Sequence, residues 1–304
     1  MTAEKESLQP PLVSIIIPTY NCAALLREAL DSVLRQSYPN WEAIVINNFS
    51  ADNTKQVVAG FGDSRISLFD FANYGVIAAS RNYGIRFAKG EYVAFLDSDD
   101  LWQPEKLKRC METLLERDKE WVCHGERWFG DGIDKDVVYG PAERASFDQL
   151  LFRGNCISTS AVVVKLEKLK KLGGFQEHVD IVTAEDYDLW LRLARSGIKI
   201  IFINEILGSY RIHPNGHSRA AIKNMQATTA VVESFFSSLP ASNFYEKLKR
   251  RARRGSLVYG GARALQNNRN HAAAWPLFFR ALWLWPFDKR LLPAMCLNLL
   301  RLRF

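Results

Sequence analysis

Apolar runs and stretches with helical spacing alternate along the first hundred residues. The β-branched run at residues 12–17, which Pro18 ends, is typical of a buried strand, and residues 22–36 place apolar side chains on one side of a helix. Strand and helix in regular succession indicate a parallel sheet with right-handed crossovers, and therefore an α/β fold. The same pattern predicts strands over residues 41–46, 66–71 and 92–96 and a helix over residues 76–88.

The pattern is less regular after residue 100 and becomes wholly helical beyond residue 220. Polar, irregular stretches predict loops over residues 131–143 and 208–217. A helix is predicted over residues 183–193, with Thr183 as its N-cap. The other predicted elements are helices over residues 104–119, 147–152 and 166–172, and strands over residues 121–128, 160–165 and 198–203.

Three carboxylates, Asp97, Asp99 and Asp100, follow the predicted strand at residues 92–96. Open α/β sheets bind ligands at the carboxyl ends of their strands, and clustered carboxylates resist burial unless a cation or hydrogen-bond donors offset them. The Asp97-Ser98-Asp99 spacing can hold Mg²⁺ or Mn²⁺ against a diphosphate. Taken alone, the cluster also fits a solvated acidic turn before the next helix, which Asp100 would cap.

Charge is unevenly spread over the 304 residues. Thirteen Lys/Arg and two acids give residues 241–304 a charge of +11, which leaves −4 for residues 1–240 out of the total of +7. A basic segment behind an acidic body suggests contact with an anionic surface. The five cysteines show no C-x-x-C spacing, and the polar N-terminus does not resemble a signal peptide, so we expect a cytoplasmic protein.

Six short motifs together resemble one large family of inverting glycosyltransferases, family 2, whose members include cellulose, chitin and hyaluronan synthases and many bacterial surface-polysaccharide transferases. They occur in the family's order and spacing over about residues 12–215. The motifs are Pro18-Thr19-Tyr20-Asn21, Ser50-Ala51-Asp52-Asn53-Thr54, Asn73 with Ala79-Ser80-Arg81-Asn82-Tyr83-Gly84, Gly90-Glu91-Tyr92 through Asp97-Ser98-Asp99-Asp100, Gly173-Gly174-Phe175 and Glu185-Asp186-Tyr187-Asp188-Leu189-Trp190.

The resemblance implies a GT-A-type fold, a Rossmann-like and mostly parallel sheet flanked by helices. This catalytic domain would occupy residues 12–219, after a tail at 1–11 and before a basic helical extension at 220–304. The implied reaction moves a sugar from a nucleotide-diphosphate sugar, linked to UDP, dTDP or GDP, to a hydroxyl of a glycan or lipid-linked acceptor. A role in surface polysaccharide synthesis follows from the same resemblance.

The resemblance also implies a divalent metal, Mn²⁺ or Mg²⁺, that stabilises the leaving diphosphate. Asp99 would be its direct ligand, while Asp97 would contact the ribose or a metal-bound water. His213 is a further candidate ligand from the C-terminal side, and His217 is a weaker one. A histidine in a loop is also commonly an ordinary surface residue.

Asp186 is the implied general base, which accepts the proton of the acceptor hydroxyl on the side opposite the leaving group. Glu185 would support it by holding the loop or by bonding to the acceptor. The structural alternative is that both acids only decorate the first turn of a helix, which favours negative charge.

Candidate contacts to the nucleotide sugar come from several loops. The family usually has an Asp pair after the second strand, where this chain has Asn47 and Asn48; an Asn oxygen can still accept from a base imide N–H, but both residues also suit a turn. Arg81 could instead be a helix-surface charge, and Tyr20 a buried structural residue. The candidates are Pro18, Tyr20, Asn48, Arg81 and Asp97.

The C-terminal region combines basic residues with aromatic side chains, a composition that suits a helix lying in a membrane interface. We therefore expect peripheral contact with the cytoplasmic face of the inner membrane through residues 241–304. The alternative is a helical subdomain that packs on the catalytic domain or on another copy, giving a homo-oligomer. Nucleic acid is not an expected partner, because the aromatic segments are too apolar.

Two other functions compete with transfer. A sugar nucleotidyltransferase normally carries a Gly-rich basic loop after the first strand, and residues 18–21 lack it. A non-catalytic sugar-nucleotide binder or scaffold finds support only in Asn47 and Asn48. No G-x-G-x-x-G or G-x-x-x-x-G-K-[ST] follows a predicted strand, which argues against dinucleotide oxidoreductases and P-loop proteins.

Overall fold

The computed structural model describes residues 9–213, 220–239 and 241–302. The described chain forms a nine-stranded mixed sheet followed by four long helices. The strands are β1 (Val13–Thr19), β2 (Trp41–Asn47), β3 (Ile66–Asp70), β4 (Tyr92–Phe95), β5 (Leu101–Trp102), β6 (Trp121–Gly130), β7 (Ile133–Val137), β8 (Val162–Lys165) and β9 (Ile201–Arg211). The helices are α1 (Ala23–Leu34), α2 (Thr54–Ala59), α3 (Ile77–Phe87), α4 (Lys106–Glu116), α5 (Phe147–Arg153), α6 (Leu166–Lys171), α7 (Glu185–Arg195), α8 (Ala221–Ser238), α9 (Phe244–Asn267), α10 (His271–Leu284) and α11 (Leu291–Leu299).

The first half of the sheet has the order β3-β2-β1-β4, and all of these strands are parallel. Alternate residues of β1 enter two cores: Ile16 packs with α3 on one face, and Ile15 packs with α1 and α4 on the other. A strand covered on both faces reads as a continuous apolar run, which explains the pattern at residues 12–17. The predicted parallel α/β arrangement is confirmed.

The second half continues as β8-β6-β9-β5 with mostly antiparallel pairing. The prediction of a loop from residue 208 was wrong for residues 208–211, because β9 runs on to Arg211. There it pairs with β6 and with the short strand β5, through Leu101 opposite Ser209. These pairings join segments far apart in sequence, which local periodicity does not register.

The predicted loop over residues 131–143 was wrong for residues 133–137, because Ile133–Val137 forms β7 and pairs antiparallel with the end of β6. Asp131 and Gly132 make the turn between these strands, with φ of 48° and 76°. Positive φ at both central residues is the requirement of a type I′ hairpin turn, and Asp-Gly is among its strongest signals. The sequence therefore carried the signal for this hairpin.

The C-terminal helices pack in two places. Val231, Val232 and Phe235 of α8 belong to the same core cluster as α5 and α7. The inner faces of α9, α10 and α11 form a smaller cluster around Phe278 and Leu291. Among the residues that the structure describes, no helix is both long enough and apolar enough to cross a bilayer.

Candidate active site

A cleft of about 580 Å³ opens beyond the carboxyl end of β4. Its lining includes Asp97, which follows β4, and Glu185 and Asp186, which begin α7. Residues predicted from two distant motifs therefore share one cavity. Asp99 does not line this cavity directly, but Asp97 and Asp100 on either side of it do.

Arg81 of α3 links the two motifs. Its guanidinium donates to Asp97 Oδ1 and to Glu185 Oε1, both at 2.7 Å. Arg81 is only 3% exposed, so it is not a helix-surface charge. Burial opposes the guanidinium charge, but Asp97 and Glu185 outweigh it and raise the pKa of Arg81. The predicted contact between Arg81 and the nucleotide stays a prediction.

The motifs around Arg81 explain its placement. Gly84 lets α3 approach β1 closely, because a Cβ there would lie 2.7 Å from Cγ2 of Ile16. Asn82 clamps the Gly173-Gly174-Phe175 turn by accepting from the Phe175 N–H and donating to the Phe175 carbonyl, each at 2.8 Å. The Phe175 ring then lies 5.4 Å from the Arg81 guanidinium carbon.

Asp186 is held at the cleft by its neighbours. Its Oδ2 accepts from the Thr159 hydroxyl at 3.1 Å, and its Oδ1 accepts from the backbone N–H of Tyr187 at 2.7 Å. Burial, together with the negative charge of Glu185, raises the pKa of Asp186 to about 6. A carboxylate with this pKa is ionised at neutral pH and is a stronger base than an ordinary Asp.

The prediction that Thr183 is the N-cap of α7 was wrong. The N-cap position belongs to Ala184, whereas Thr183 has a φ of 89°, a left-handed conformation that is rare for a β-branched residue. Its N–H donates to Glu185 Oε2 at 2.8 Å, so Glu185 holds this loop. The Thr183 hydroxyl is buried without a hydrogen-bond partner in the described part of the chain, and Thr183 lines the cleft.

The predicted metal residues Asp99 and His213 are adjacent, with His213 Nε2 2.9 Å from Asp99 Oδ2. Arg211 secures this turn by donating from Nε to the Asp99 carbonyl. Asp100 is buried and accepts from Ser160 Oγ and from the Arg211 N–H, so its predicted role as a helix cap was wrong. His217 lies outside the described residues.

The donor set at this turn suits a hard divalent cation. Within residues 9–213, 220–239 and 241–302, no group of three or more His, Cys, Asp and Glu side chains is assembled as a metal cage. Mg²⁺ is commonly held by one or two carboxylates plus substrate phosphates. Asp99, beside His213, could supply such a carboxylate, and Asp97 could act through water, since its Oδ1 is already bound to Arg81.

Two neighbouring loops form the edge where the nucleotide is predicted. Residues 20–21 follow β1 and residues 48–52 follow β2, and each loop bonds to the other: the Asn21 N–H donates to Ser50 Oγ, and the Ala51 N–H donates to Asn21 Oδ1. Asp52 accepts from the Ala23 N–H at the start of α1. These cross-links fix the loops against one another.

The residues at this edge differ in how exposed they are and in whether their polar atoms are already hydrogen-bonded. Tyr20 is 57% exposed, so it is not a buried structural residue, whereas Pro18 is buried within β1. Asn47 is fully buried and bonds to Asp70 and Ser50, which is the turn-shaping role. Asn48 is partly buried, and its Oδ1 accepts from the Asn73 N–H. The base contact of Asn48 stays a prediction.

Several residues in and behind the cleft were not predicted from the sequence. Thr159 binds Asp186, while Ser160 accepts from the Asp97 N–H and donates to Asp100. Glu126 is buried behind the cleft and accepts from the Tyr139 hydroxyl at 2.7 Å, and burial raises its pKa to about 7. The polar run at residues 158–160 before an apolar strand was the available signal for Thr159 and Ser160.

Comparison with known proteins identifies the family. Residues 14–155 match the profile of glycosyl transferase family 2, and residues 92–300 match that of glycosyl transferase family group 2. TuaG of Bacillus subtilis, a glycosyltransferase assigned to teichuronic acid biosynthesis, is 32% identical over 68% of this chain and 82% of its own length. WfgD of Escherichia coli, a UDP-Glc:α-D-GlcNAc-diphosphoundecaprenol β-1,3-glucosyltransferase, is 30% identical over 77% of this chain and 90% of its own.

The fold has solved counterparts. The mannosyltransferase PcManGT of Pyrobaculum calidifontis, solved with GDP-Man and Mn²⁺, superposes with a TM-score of 0.61 at 20% identity, over 97% of this chain and 86% of that one. This likeness confirms the predicted GT-A-type fold. The family group 2 profile covers more than half of the chain, and TuaG is 32% identical with 82% of its length covered, so the chain belongs to glycosyltransferase family 2.

Proposed function

We propose that this protein is a metal-dependent, inverting glycosyltransferase that moves a sugar from a nucleotide-diphosphate sugar to an acceptor hydroxyl in cell-surface glycan synthesis. The observation that carries the proposal is the Arg81 bridge, which holds Asp97 and Glu185 on one guanidinium and so brings the donor-side and acceptor-side motifs to one cleft. The reaction needs both sides within reach of a single anomeric carbon.

Asp186 is the proposed general base. An inverting transfer is a single displacement in which the acceptor oxygen attacks the anomeric carbon as the bond to the diphosphate breaks, while the base takes the hydroxyl proton. Asp186 lines the cleft and carries a raised pKa, and Thr159 fixes the direction of its carboxylate. Glu185 supports it by holding the Thr183 loop and by pairing with Arg81.

Asp99 is the proposed metal ligand, with His213 beside it and Asp97 acting through water or on the ribose. Bound Mn²⁺ or Mg²⁺ would supply charge that stabilises the leaving diphosphate. The residues fit such a cation, since a carboxylate and an imidazole nitrogen already lie 2.9 Å apart. The Mn²⁺ in the PcManGT complex supports a divalent metal in general.

The proposed substrates follow from the relatives. WfgD is named for UDP-Glc and a diphosphoundecaprenol acceptor, and PcManGT was solved with GDP-Man. We therefore propose a UDP-, dTDP- or GDP-linked donor and a glycan or lipid-linked acceptor at the cytoplasmic face of the inner membrane. Pro18, Tyr20 and Asn48 are the proposed nucleotide contacts at the edge formed by the loops after β1 and β2.

Calorimetric titration tests the donor side. UDP, dTDP and GDP are titrated into the full chain with and without Mn²⁺, and one base should bind with metal-dependent affinity. Transfer from the matching nucleotide sugars to a GlcNAc-diphosphate lipid is then followed, with the anomeric configuration of the product read by NMR. Metal-dependent binding without transfer or donor hydrolysis would favour the non-catalytic binder, and a product that retains the donor configuration would refute inversion.

A further inference from the structure

The last two helices turn apolar side chains toward solvent. On α10, Phe279 is 57% and Trp283 is 74% exposed, and at the end of α11 Leu299 is 72% exposed and the following Leu300 is 65% exposed. Single exposed apolar residues are ordinary on protein surfaces, but α10 and α11 pack against each other and each exposes several, which is typical of an interaction site. Phe287, in the turn between the two helices, is 76% exposed and extends the set.

The exposed apolar residues of α11 cover one whole face of the helix. The buried residues of α11 are Leu291, Ala294 and Asn298, which face the cluster around Phe278. The opposite face carries no charged residue, whereas a helix at an ordinary protein surface turns polar residues outward. The exposed residues of α11 and its end are Leu292, Pro293, Cys296, Leu299 and Leu300.

Positively charged side chains accompany the exposed apolar residues of α10 and α11. Lys289 lies in the turn before α11, Arg301 follows α11, and Arg280 lies on α10, and all three are exposed. Arg251 donates to the carbonyls of Trp283 and Leu284, and its guanidinium carbon lies 5.7 Å from the Trp283 ring. The exposed indole is therefore held beside a positive charge.

The two acids of the region do not neutralise these side chains. Glu246 pairs with Arg250 at 2.6 Å, and Asp288 pairs with Arg290 at 2.7 Å. In the basic cluster at residues 247–254, Arg250 and Arg253 are buried and Arg254 pairs with Glu233, whereas Lys247 and Arg251 are exposed. Exposed positive charge next to apolar surface is found on α10 and α11, through Arg280, Lys289 and Arg301, and also at the start of α9, where the exposed Lys247 follows the exposed Phe244 and Tyr245.

We propose that the outer face of α10 and α11 docks onto an anionic lipid bilayer, with Trp283, Phe279 and Leu299 in the headgroup boundary. Tryptophan, leucine and phenylalanine beside Lys and Arg are the composition of interfacial helices, and anionic headgroups attract each basic residue near the surface. A second copy of the chain would bring like charges together, and nucleic acid would leave the leucines uncovered.

Docking of this face does not depend on the chemistry of the cleft. One consequence of docking rests on the proposed function. An enzyme held on a bilayer shares a surface with a lipid-linked acceptor, which raises the effective concentration of that acceptor.

Co-sedimentation with vesicles tests the inference. The full chain is mixed with phosphatidylcholine vesicles that contain phosphatidylglycerol, and separately with pure phosphatidylcholine vesicles, at low and high salt. We expect strong binding only to the anionic vesicles, weakened by salt. Phe279→Ala with Trp283→Ala, and separately Leu299→Gln with Leu300→Gln, should each lower partitioning at least tenfold, since each removes two apolar groups that the bilayer would bury.

The matched control is Leu115→Gln, which changes an exposed leucine of α4 on the catalytic domain and should bind as the parent does. Thermal unfolding and nucleoside diphosphate binding establish that every variant is folded. Equal partitioning of the double variants and the parent would overturn the inference. So would sedimentation data in which the parent is a dimer that the double variants break and neither binds vesicles. Either result leaves the proposed transfer reaction standing.

Discussion

The Nε2 atom of His213 lies 2.9 Å from Oδ2 of Asp99, which joins the end of β9 to the turn after β4. We expect His213→Ala to raise the Mn²⁺ concentration needed for nucleoside diphosphate binding by about 10-fold or more, the usual effect of losing a residue at or beside a metal ligand. Asp99→Asn should abolish the metal-dependent part of binding. Calorimetry at a series of Mn²⁺ concentrations measures both effects.

The control for this prediction is His178→Ala, because His178 is an exposed histidine that belongs neither to this turn nor to the cleft lining. Its Mn²⁺ titration should match that of the parent chain. An unchanged titration for His213→Ala would remove His213 from the metal site, and an unchanged one for Asp99→Asn would remove Asp99.

The pKa of Asp186, raised to about 6, predicts the pH dependence of transfer. A base must be ionised to accept a proton, so kcat should fall as the pH drops through about 6 and level off above it, whereas an ordinary Asp would remain active to about pH 4. Asp186→Asn should lower kcat about 10²–10⁴-fold and leave donor binding largely unchanged. Near-normal turnover of that variant would remove Asp186 from the mechanism.

Thr159 should tune this pH profile. Its hydroxyl donates to the Asp186 carboxylate, which favours the ionised form. Thr159→Val therefore should raise the pKa of Asp186 further and move the acid limb of kcat to higher pH, while Thr159→Ser should keep the parent profile. A limb that stays in place in Thr159→Val would mean that the hydroxyl only packs there.

Removing the Arg81 charge should destabilise the fold. Arg81→Met would leave the carboxylates of Asp97 and Glu185 near the cleft without their shared cation, and breaking a buried ion pair in this way typically costs about 3–5 kcal/mol in the free energy of unfolding. Denaturant unfolding measures this loss. Arg127→Met, which breaks an exposed pair with Asp134, should change stability far less.

Replacing Thr183 with glycine should raise the stability of the protein and lower its activity. A β-branched residue at a φ of 89° stores about 1–3 kcal/mol of strain, and such strain often lies at functional sites. Thr183→Gly should therefore raise the unfolding temperature while lowering kcat, because the buried hydroxyl of this cleft-lining residue is lost. Thr183→Ser keeps that hydroxyl and should retain most of the activity. A Thr183→Gly enzyme of full activity would assign Thr183 a purely structural role.

Local pattern was sufficient for the parallel half of the fold but not for the rest. Residues 12–17 were predictable because every residue of β1 is buried, so its apolar run is unbroken. The extension of β9 to Arg211 depends on pairing with β5 and β6, and no local signal encodes such distant partners. The hairpin at Asp131 and Gly132 was encoded, but it was hidden within a stretch of charged residues.

The candidate site, like the fold, could be predicted only in part from local sequence. Asp97, Asp99 and Asp186 could be selected from short motifs, since each motif carries its own residue types. The partners of Arg81 could not, because the bridge exists only where α3, β4 and α7 meet, with Asp97 and Glu185 lying 16 and 104 residues away from it. The role of Thr159 likewise appears only once its loop is placed beside α7.

The β6–β7 hairpin brings Trp128, Val137 and Tyr139 into the cleft lining alongside the carboxylates. In the described chain β7 pairs with β6 alone, so the tip of this hairpin can lengthen, shorten or change composition without shifting β1, β4 or α7. For the proposed transferase, we expect changes confined to this hairpin to reshape the cleft wall, and with it the choice of acceptor, without altering Asp97 or Asp186.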